Sequence, residues 1–425
     1  MEQAAGTLVI GGGVVGMACA LALRRAGETV LVLDPQNLSR PASYGNAGHI
    51  AVEQVEPLAS PAALASALGR LFPLGGALDF RLADIAAWGP WAARFIKAAT
   101  PEGAAHGRRA LNSLLEDALP AWRRLAGSLN RPDLLVEHGH VVVWESQETA
   151  RAGFAAWRAA DIGQARLSVL SDPLARRLRE SIKTPIAGGA RFENTGQVRD
   201  PALVLRLLDE AFTASGGRRR TGRATGLRTF GGRVEVLLED GERLAPERVL
   251  VAGGVGSGAL LRDLGHVAPV IAERGYHLEG GAKHWGDLPP VVFEDRSLIL
   301  TRFGDRLRAA SFIEFGRESS PPDPRKWARL RRHLAELGVR MEGPVAEWMG
   351  ARPTLPDYLP AIGVGRRADN LYYAFGHQHL GLTLAAVTGE LVADLMGGAT
   401  PAVDLAPFDL DRFARPRDLR KRNTA

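Results

Sequence analysis

The sequence predicts an α/β protein in which two domains are interleaved along the chain. The first observation is a β-α-β pattern near the start: apolar runs at residues 7–10 and 29–33 flank a helical stretch at residues 14–26. The second is the return of this pattern near the end, as a strand at residues 371–375, a glycine-rich turn and a helix from about Gly381. The third is that the intervening residues change character, first toward helices and then toward antiparallel strands.

The segment from residue 57 to residue 185 is rich in Ala, Leu and Arg at helical spacing. The clearest helical patterns lie around residues 63–70, 82–99 and 113–129. A strand pair at residues 134–136 and 140–144 is expected to interrupt them.

The next segment alternates between helix and strand patterns. An amphipathic helix is expected at residues 201–214, and a hairpin with an Asp240-Gly241 turn at residues 233–244. A buried strand at residues 248–252 precedes a four-stranded antiparallel meander, whose strands are predicted at residues 275–278, 291–293, 298–301 and 307–313.

Composition excludes several classes of protein. The chain has 425 residues, of which 46% are hydrophobic and 24% charged, as in an ordinary globular protein. Its net charge of +6 favours an anionic ligand, but no aromatic-basic stripe or finger spacing indicates nucleic acid. Cys19 is the only cysteine, which excludes an internal disulfide, and no metal is expected. Residues 1–6 lack a basic signal-peptide region, so we expect a cytoplasmic protein.

A G-x-G-x-x-G motif stands between the first strand and the first helix, and Asp34 closes the second strand. The first glycine permits a tight turn, the second lets the backbone approach a pyrophosphate, and the third allows close helix–strand packing. Asp34 can accept hydrogen bonds from a ribose and disfavours a 2′-phosphate. The motif predicts a Rossmann-like dinucleotide site without distinguishing NAD from FAD. Its residues are Gly11, Gly13, Val14, Val15 and Gly16.

Four stretches resemble the FAD-dependent D-amino acid oxidase/dehydrogenase superfamily, and most closely its D-amino acid dehydrogenases. They are residues 8–34, SYGNAGHI at 43–50, VLVAGG at 249–254, and GARPTLPD at 350–357 followed by FGHQHLGLT at 375–383. The resemblance implies a glutathione reductase-type fold in which residues 1–56, 186–270 and 345–425 bind FAD. Residues 57–185 and 271–344 would then form an α+β substrate-binding domain with an antiparallel sheet.

The resemblance also implies which residues bind the flavin. The pyrophosphate would lie on the first glycine loop, and the helix beginning near Gly381 would stabilise negative charge on the reduced flavin. We expect non-covalent FAD, because relatives that bind flavin covalently use a C-terminal cysteine and Cys19 lies in the first helix. Beyond the first loop and Asp34, the implied cofactor residues are Ser43, Asn46, Ala47, Gly48, Ala224, Gly253, Gly254, His377, Gly381, Leu382 and Thr383.

Arg352 is the residue that the resemblance implies for holding a substrate carboxylate, since its guanidinium offers a planar fork. The alternative is a structural arginine paired with Asp357 or with a backbone carbonyl. Arg302 and Glu314 match family positions where a structural ion pair is plausible. For the histidines and the tyrosine, a purely structural role is the alternative. The residues expected in the catalytic site are Arg352, Tyr276, His49 and His379.

The implied reaction is dehydrogenation of a D-amino acid by hydride transfer to the flavin, with a quinone-type acceptor. The stretch at residues 375–383 looks most like that of hydroxyproline-degrading members, which favours D-proline or cis-4-hydroxy-D-proline. Two alternatives remain: a sarcosine or glycine oxidase-like enzyme, and an accessory flavoprotein of an electron-transfer complex. Residues 412–422 hold five arginines and one lysine, which fit a solvated tail better than peripheral contact with the inner face of the membrane. The oligomeric state is left open.

Overall fold

The protein is described here by a computed structural model that covers residues 6–35 and 41–414. Helices and strands are numbered in chain order. The helices are α1 Val14–Arg25, α2 Pro61–Ser66, α3 Ile85–Ala98, α4 Pro101–Leu115, α5 Ala118–Ser128, α6 Gln147–Ala159, α7 Asp172–Ser181, α8 Pro201–Ala214, α9 Ser257–Asp263, α10 Pro324–Leu337 and α11 Gly381–Gly397. The strands are β1 Thr7–Ile10, β2 Val30–Asp34, β3 His49–Ile50, β4 Leu78–Phe80, β5 Leu135–Val136, β6 His140–Trp144, β7 Arg166–Val169, β8 Gly188–Glu193, β9 Gly196–Val198, β10 Arg218–Thr221, β11 Ala224–Phe230, β12 Arg233–Leu238, β13 Arg243–Leu244, β14 Arg248–Val251, β15 Ile271–Gly281, β16 Val291–Phe293, β17 Leu298–Phe303, β18 Arg306–Gly316, β19 Glu342–Thr354, β20 Ala361–Val364 and β21 Leu371–Phe375.

A six-stranded sheet, in the order β10-β2-β1-β14-β21-β20, carries the first glycine motif. All its neighbours pair in parallel except β20 and β21, which are antiparallel. Every residue of β1 is buried, which is typical of a parallel strand covered on both faces. The predicted β-α-β unit and the later strand–turn–helix unit are therefore confirmed.

Helices α1 and α11 belong to one apolar core beside this sheet. Met17 and Cys19 of α1 and Leu384 of α11 are all fully buried in it. By length and hydropathy alone the segment Gln378–Gly397 could cross a membrane, but 67% of its most apolar window is buried inside the protein. Its apolar composition is accounted for by this position in the core.

A nine-stranded sheet faces the cavity described below. Its main order is β19-β15-β18-β17-β16-β6-β8-β7, and β4 pairs with β18. The predicted meander is correct for β16, β17 and β18, which pair consecutively. The first predicted strand, however, pairs with β18 and β19 rather than with β16, so β15 lies inside the sheet.

Two local predictions between residues 57 and 185 were wrong. The expected pair of strands at 134–136 and 140–144 does not form, because β5 pairs with β9 while β6 pairs with β8 and β16. The helical pattern at 113–129 is divided between α4 and α5, since the backbone leaves the helical region at Asp117. Periodicity reports which face is apolar but does not reveal such a break.

The division into two domains stays a prediction. The six-stranded sheet draws its strands from the three ranges assigned to FAD binding, between Thr7 and Phe375. Strand β8 lies within one of those ranges and nevertheless belongs to the nine-stranded sheet. The two short sheets, β11-β12-β13 and β3-β9-β5, complete the strands of the described residues.

Candidate functional site

A cavity of about 990 Å³ lies at the carboxyl ends of β1, β14 and β21 and extends to the nine-stranded sheet. Ligands of parallel α/β sheets characteristically bind at this end of the strands. Its volume is at the upper end of the range found for small-molecule sites, as an extended dinucleotide together with a small substrate requires.

The first glycine loop leaves no room for side chains at two of its positions. Gly11 has a φ of +117°, and a β-carbon there would overlap the carbonyl of Ala252. A β-carbon on Gly16 would overlap the carbonyl oxygen of Gly11. Gly13, by contrast, has only Ser43 Oγ near its β-position, at 3.5 Å, and its backbone lines the cavity. The loop is therefore shaped to expose backbone at Gly13.

Hydrogen bonds connect this loop to the acid and to the serine singled out in the sequence. The backbone N–H of Gly12 donates to Asp34 Oδ2, and that of Val14 donates to Ser43 Oγ at 3.0 Å. Val15 also lines the cavity. Asp34 thus stands beside the loop, at the end of β2, where a ribose would follow the pyrophosphate.

The segment from Ser43 to Gly48 is held from behind by the nine-stranded sheet. Arg308, whose side chain is fully buried, donates through Nη1 to the carbonyls of Tyr44 and Asn46. A β-carbon on Gly48 would overlap the ring of Phe303. The side chain of Asn46 accepts the N–H of Gly48 at 2.7 Å, so it supports the turn while its neighbours line the cavity.

Trp348 fixes the same segment from another side. A β-carbon on either Gly45 or Gly350 would overlap its indole ring. The ring stacks on His277 with centroids 4.8 Å apart, and His277 Nδ1 lies 3.1 Å from the carbonyl oxygen of Gly45. Sequence analysis included both glycines in the stretches that resemble the family, but nothing in the sequence indicated that Trp348 lies between them.

The remaining predicted cofactor residues line the cavity farther along, apart from Thr383. Gly48 of the segment described above does not line the cavity either. Gly253, Gly254, Ala224, Ala47, His377, Gly381 and Leu382 all lie in its wall. Thr383 is buried, and its hydroxyl accepts a hydrogen bond from the backbone N–H of Ala51 at 3.0 Å.

Helix α11 begins at Gly381, with its first turn at the cavity. Trp122 Nε1 donates to the carbonyls of Leu382 and Thr383 at 3.0 and 3.1 Å, which fixes this end of the helix. The N–H groups of a first helical turn have no partner within the helix, so an anionic group in the cavity would be stabilised there. The glycine cradle, Asp34 and this helix terminus fit an extended flavin dinucleotide.

Arg352 lies on β19 opposite Glu273 of β15. Its Nη1 donates to Glu273 Oε1 at 3.0 Å and to the carbonyl of Phe312 at 3.3 Å. The hydroxyls of Thr354 and Tyr358 donate to the other oxygen of Glu273, at 3.0 and 3.1 Å. The buried carboxylate therefore orients the guanidinium while Arg352 remains part of the cavity wall.

Of the structural alternative for Arg352, the pairing with Asp357 is wrong, whereas a hydrogen bond to a backbone carbonyl, that of Phe312, is present. Asp357 accepts hydrogen bonds from Nε and Nη2 of Arg412, the first basic residue of the C-terminal tail. The rest of that tail, residues 415–425, lies outside the described part of the chain.

The hydroxyl of Tyr276 is committed to a buried ionic cluster. It accepts from Nη2 of Arg274 at 2.8 Å and from the N–H of Asp323 at 3.1 Å, and it donates to Glu314 at 3.0 Å. Burial raises the pKa of Tyr276. Although the residue also lines the cavity, its hydroxyl faces its own protein partners. The hydroxyl of Tyr276 is therefore engaged by protein groups, and the residue contributes to the cavity wall through its ring.

The suggested pairing of Arg302 with Glu314 was also wrong. Arg302 donates to the carbonyls of Gly304 and Trp285, at 2.7 and 2.9 Å. Glu314 pairs instead with Arg274 and with Lys326, whose ammonium also contacts Asp79 and Asp323. Arg274 and Glu314 are 40 residues apart and meet because they are opposite each other on the paired strands β15 and β18, which the sequence does not reveal.

The two histidines of the stretch from residue 377 to residue 379 lie in different environments. His377 is buried, its Nε2 lies 3.1 Å from Thr388 Oγ1, and burial lowers its pKa to about 3. Burial also lowers the pKa of His379 to about 4, so both rings are neutral near pH 7. His379 lines the cavity near Arg352, whose charge lowers its pKa further.

His49 lies on β3 beside two side chains that the sequence analysis missed. Its Nε2 is 3.7 Å from Oε2 of Glu53, and Nε2 of His140 is 3.9 Å from Oε1 of the same carboxylate. Burial lowers the pKa of His49 to about 4 and raises that of Glu53 to about 8. The four-residue spacing of His49 and Glu53 was a visible signal, but nothing in the sequence placed His140 beside them.

Two charged side chains elsewhere in the cavity wall were missed as well. Glu294 follows β16 and Arg70 follows α2, and both line the cavity. Burial raises the pKa of Glu294, against the opposing charge of Arg70. A charged residue directly after an apolar strand was the only available signal for Glu294.

Comparison with known proteins adds independent findings. The family model described as FAD dependent oxidoreductase matches residues 7–395. The chain is 31% identical over 423 residues to a D-amino-acid oxidase of Bradyrhizobium diazoefficiens, covering 97% of this chain and 100% of that protein. It is 30% identical over 434 residues to a D-amino acid dehydrogenase of Xanthobacter autotrophicus, covering 96% and 99% respectively.

Solved structures share the fold at lower identity. The glycine oxidase of Geobacillus kaustophilus matches with a TM-score of 0.72 at 21% identity, over 96% of this chain and 98% of that one. The L-proline dehydrogenase of P. horikoshii matches with a TM-score of 0.73 at 14% identity, over 97% and 98%. These matches agree with the predicted architecture of a flavin domain combined with an antiparallel substrate sheet.

Proposed function

The chain belongs to the DAO family of FAD-dependent oxidoreductases, and from this premise we propose that it is a dehydrogenase of D-amino acids. FAD is its cofactor, and oxidation of an amino acid is the activity that the family supports. The observation that carries the proposal is the position of Arg352. Within the described residues its hydrogen bonds use Nη1 alone, which leaves Nη2 and Nε for a substrate carboxylate.

FAD, when bound, supplies the acceptor for the two electrons and the hydrogen that leave the substrate Cα. The task of the protein is to hold the amino acid so that this hydrogen faces the flavin. Arg352 would bind the carboxylate, while Glu273 keeps the guanidinium in place. The apolar wall formed by Leu298 and Ile299 would exclude water from the reacting carbon.

We further propose a cyclic substrate, D-proline or cis-4-hydroxy-D-proline. A ring amine is already folded close to its carboxylate, so a compact pocket binds it with little loss of conformational entropy. The neutral imidazoles of His379 and His49 line the cavity and could hydrogen-bond a ring hydroxyl. A structural neighbour, the dehydrogenase of P. horikoshii, is named for a cyclic amino acid, although its name gives the L configuration.

We propose that electrons then pass to a quinone-type acceptor rather than to O₂; that two relatives are named dehydrogenases supports an acceptor other than O₂. The proposed location is the cytoplasm, with peripheral contact at the inner face of the membrane through the basic tail. Of that tail, Arg412 is described, and it is engaged by Asp357. Membrane contact would therefore depend on the residues that follow it.

Anaerobic stopped-flow reduction tests the substrate. The holoenzyme is mixed with D-proline, cis-4-hydroxy-D-proline, D-alanine, glycine, sarcosine and L-proline, and flavin bleaching is followed. We expect the two cyclic D-amino acids to reduce the flavin fastest. Faster reduction by D-alanine would contradict the cyclic preference. Reduction by only sarcosine, glycine or L-proline would contradict the D-amino acid proposal itself.

A further inference from the structure

Two imidazoles and one carboxyl group converge in the wall of the cavity. The proposed oxidation assigns a role to His49 alone of the three, as one of the imidazoles that could bind a ring hydroxyl, and it gives none to Glu53 and His140. His49, Glu53 and His140 have side chains that are only 9%, 2% and 3% exposed. Their ligand-type atoms all lie within 4.8 Å of one another. Burial holds Glu53 in its protonated form near pH 7, although its own backbone and the side chain of Gln54 form hydrogen bonds with it. A divalent cation between the three side chains would replace that proton and stabilise the carboxylate.

Two atoms of the cluster are buried without a hydrogen-bond partner in the described structure: Nε2 of His49 and Oε2 of Glu53. They face each other at 3.7 Å, and the second imidazole is 3.9 Å from the same carboxylate. Both distances are longer than that of a hydrogen bond. Two ligands at ~2.0–2.2 Å from one tetrahedral ion are about 3.4 Å apart, so a small contraction would bring the three groups onto a shared ion.

The ring of His140 is already oriented for this role. Its Nδ1 lies 3.1 Å from Thr195 Oγ1, and the ring stacks on Phe192 with centroids 4.6 Å apart. Donation from Nδ1 to the hydroxyl leaves the lone pair of Nε2 directed toward Glu53. Metal-bound histidines are typically fixed by such a second hydrogen bond through the other ring nitrogen.

We propose that His49, Glu53 and His140 bind one late first-row divalent cation, with Zn²⁺ as the representative ion. Two imidazoles and a carboxylate are ligands suited to zinc, and they leave a fourth coordination position. All three residues line the cavity, so water or a small ligand can reach that position. No metal was expected from the sequence, because it has a single cysteine and does not reveal that His140 lies beside His49 and Glu53.

A second cluster of carboxylates differs from this one because a lysine already neutralises its charge. Asp79, Glu314 and Asp323 also meet closely enough for a metal. There the ammonium of Lys326 occupies the centre, hydrogen-bonded to Asp79 at 2.6 Å and to Glu314. Glu53 has no such cation: among the described residues it pairs with the imidazoles of His49 and His140 and with no lysine or arginine.

Metal content of the holoenzyme tests this site directly. The wild type is purified with FAD from zinc-supplemented medium, desalted, and measured by elemental mass spectrometry. We expect about one zinc ion per chain. Glu53→Gln and His140→Ala should lose most of it while retaining flavin absorbance. Thr195→Val should retain the ligands but bind zinc roughly 10- to 100-fold more weakly, since the supporting hydrogen bond is gone.

His284→Ala is the matched control, because His284 forms an exposed pair with Glu342 at 3.0 Å that could collect metal adventitiously. Zinc retained by this variant and lost from Glu53→Gln supports the proposal. Equal zinc in the wild type and Glu53→Gln, or zinc lost from His284→Ala alone, overturns it. If His140→Ala does not fold, the decision rests on Glu53→Gln and on Co²⁺ binding, whose tetrahedral d–d bands lie at longer wavelength than flavin absorption. Their absence from the wild type would also overturn the proposal.

Discussion

Gly275 and Arg352 lie in van der Waals contact across neighbouring strands, and a β-carbon on Gly275 would overlap Nη2 and the guanidinium carbon of Arg352. The two residues are offset by two positions on the paired strands β15 and β19. The absence of a side chain at position 275 therefore creates the space in which the guanidinium lies. The proposed substrate anchor depends on this glycine as well as on its carboxylate partner.

The first prediction is that Gly275→Ala reduces kcat/KM at least tenfold, or about 1.4 kcal/mol, because the new methyl group displaces the guanidinium. Flavin content should stay the same, since the residue lies away from the glycine loop. Gly69→Ala, where an added β-carbon meets no atom within 4 Å, is the control. Unchanged kinetics in Gly275→Ala would show that this position of Arg352 is not the catalytic one.

The second prediction concerns the guanidinium fork. Arg352→Lys keeps the charge but loses bidentate binding, which should cost on the order of 2–3 kcal/mol, or roughly 30- to 150-fold in kcat/KM. Flavin reduction by substrate is followed in both enzymes. Arg366→Lys, an exposed arginine paired with Asp409, should behave like the wild type. Equal losses in the two variants would remove Arg352 from the site.

The third prediction is a loss of stability in Lys326→Met. The ammonium is surrounded by Asp79, Glu314 and Asp323, and its removal leaves buried carboxylates uncompensated. We expect a decrease of about 3–5 kcal/mol in the free energy of unfolding, measured by urea denaturation of the holoenzyme. Lys97→Met, at an exposed position of α3, should change stability little.

The same cluster predicts a pH dependence. Burial acts to lower the pKa of Lys326, but the hydrogen bonds that its ammonium donates to Asp79 and Glu314 outweigh this effect and raise that pKa. A lysine pKa raised on folding stabilises the protein below the unfolded pKa, and this contribution disappears as pH rises through the folded value. Urea midpoints measured up to alkaline pH should therefore fall more steeply for the wild type than for Lys326→Met. Parallel curves would contradict this assignment.

The fourth prediction is that FAD is held without a covalent bond. Acid or heat should release all of it from the denatured protein, since Cys19 is buried in α1. Gly16→Ala should be purified with little flavin, because its β-carbon would overlap the carbonyl of Gly11. Flavin absorbance of the precipitate and of the supernatant measures both. Yellow denatured protein would refute the non-covalent assignment.

The fifth prediction distinguishes a dehydrogenase from an oxidase. After reduction by substrate, quinones or artificial dyes should reoxidise the flavin much faster than air does. Parallel assays of dye bleaching and peroxide formation compare the two routes in one preparation. Peroxide formed as fast as dye is reduced would make the enzyme an oxidase, in line with the name of the Bradyrhizobium diazoefficiens relative.

Elements whose signal is local were predictable from the sequence. The first strand and helix, α8, the hairpin of β12 and β13, and α11 lie close to where periodicity and turn residues placed them. The Rossmann-like α/β part of the fold was predicted from these units, but the number and order of the strands in its sheet were not.

Contacts between distant strands were not predictable in the same way. Glu273 and Arg352 are 79 residues apart, and only the register of β15 against β19 brings them together. For the same reason the partners of Tyr276 and the approach of His140 to His49 were missed. Short strands such as β5 pair according to tertiary packing, which one sequence does not reveal.

Strand β15 lies between β19 and β18 in its sheet. As a result, the arginine proposed to bind the carboxylate and the apolar wall of the cavity belong to different pairs of strands. The anchor is supported on β15 and β19, whereas Ile299 and Ala310, a cross-strand pair of β17 and β18, form part of the wall. Under the proposed function, substitutions on β17 and β18 would change which substrate side chain fits the cavity and would leave the proposed carboxylate anchor, Arg352, unchanged. The chain can evolve toward new amino acids through these two strands, and mutagenesis libraries aimed at altered substrate range should begin there.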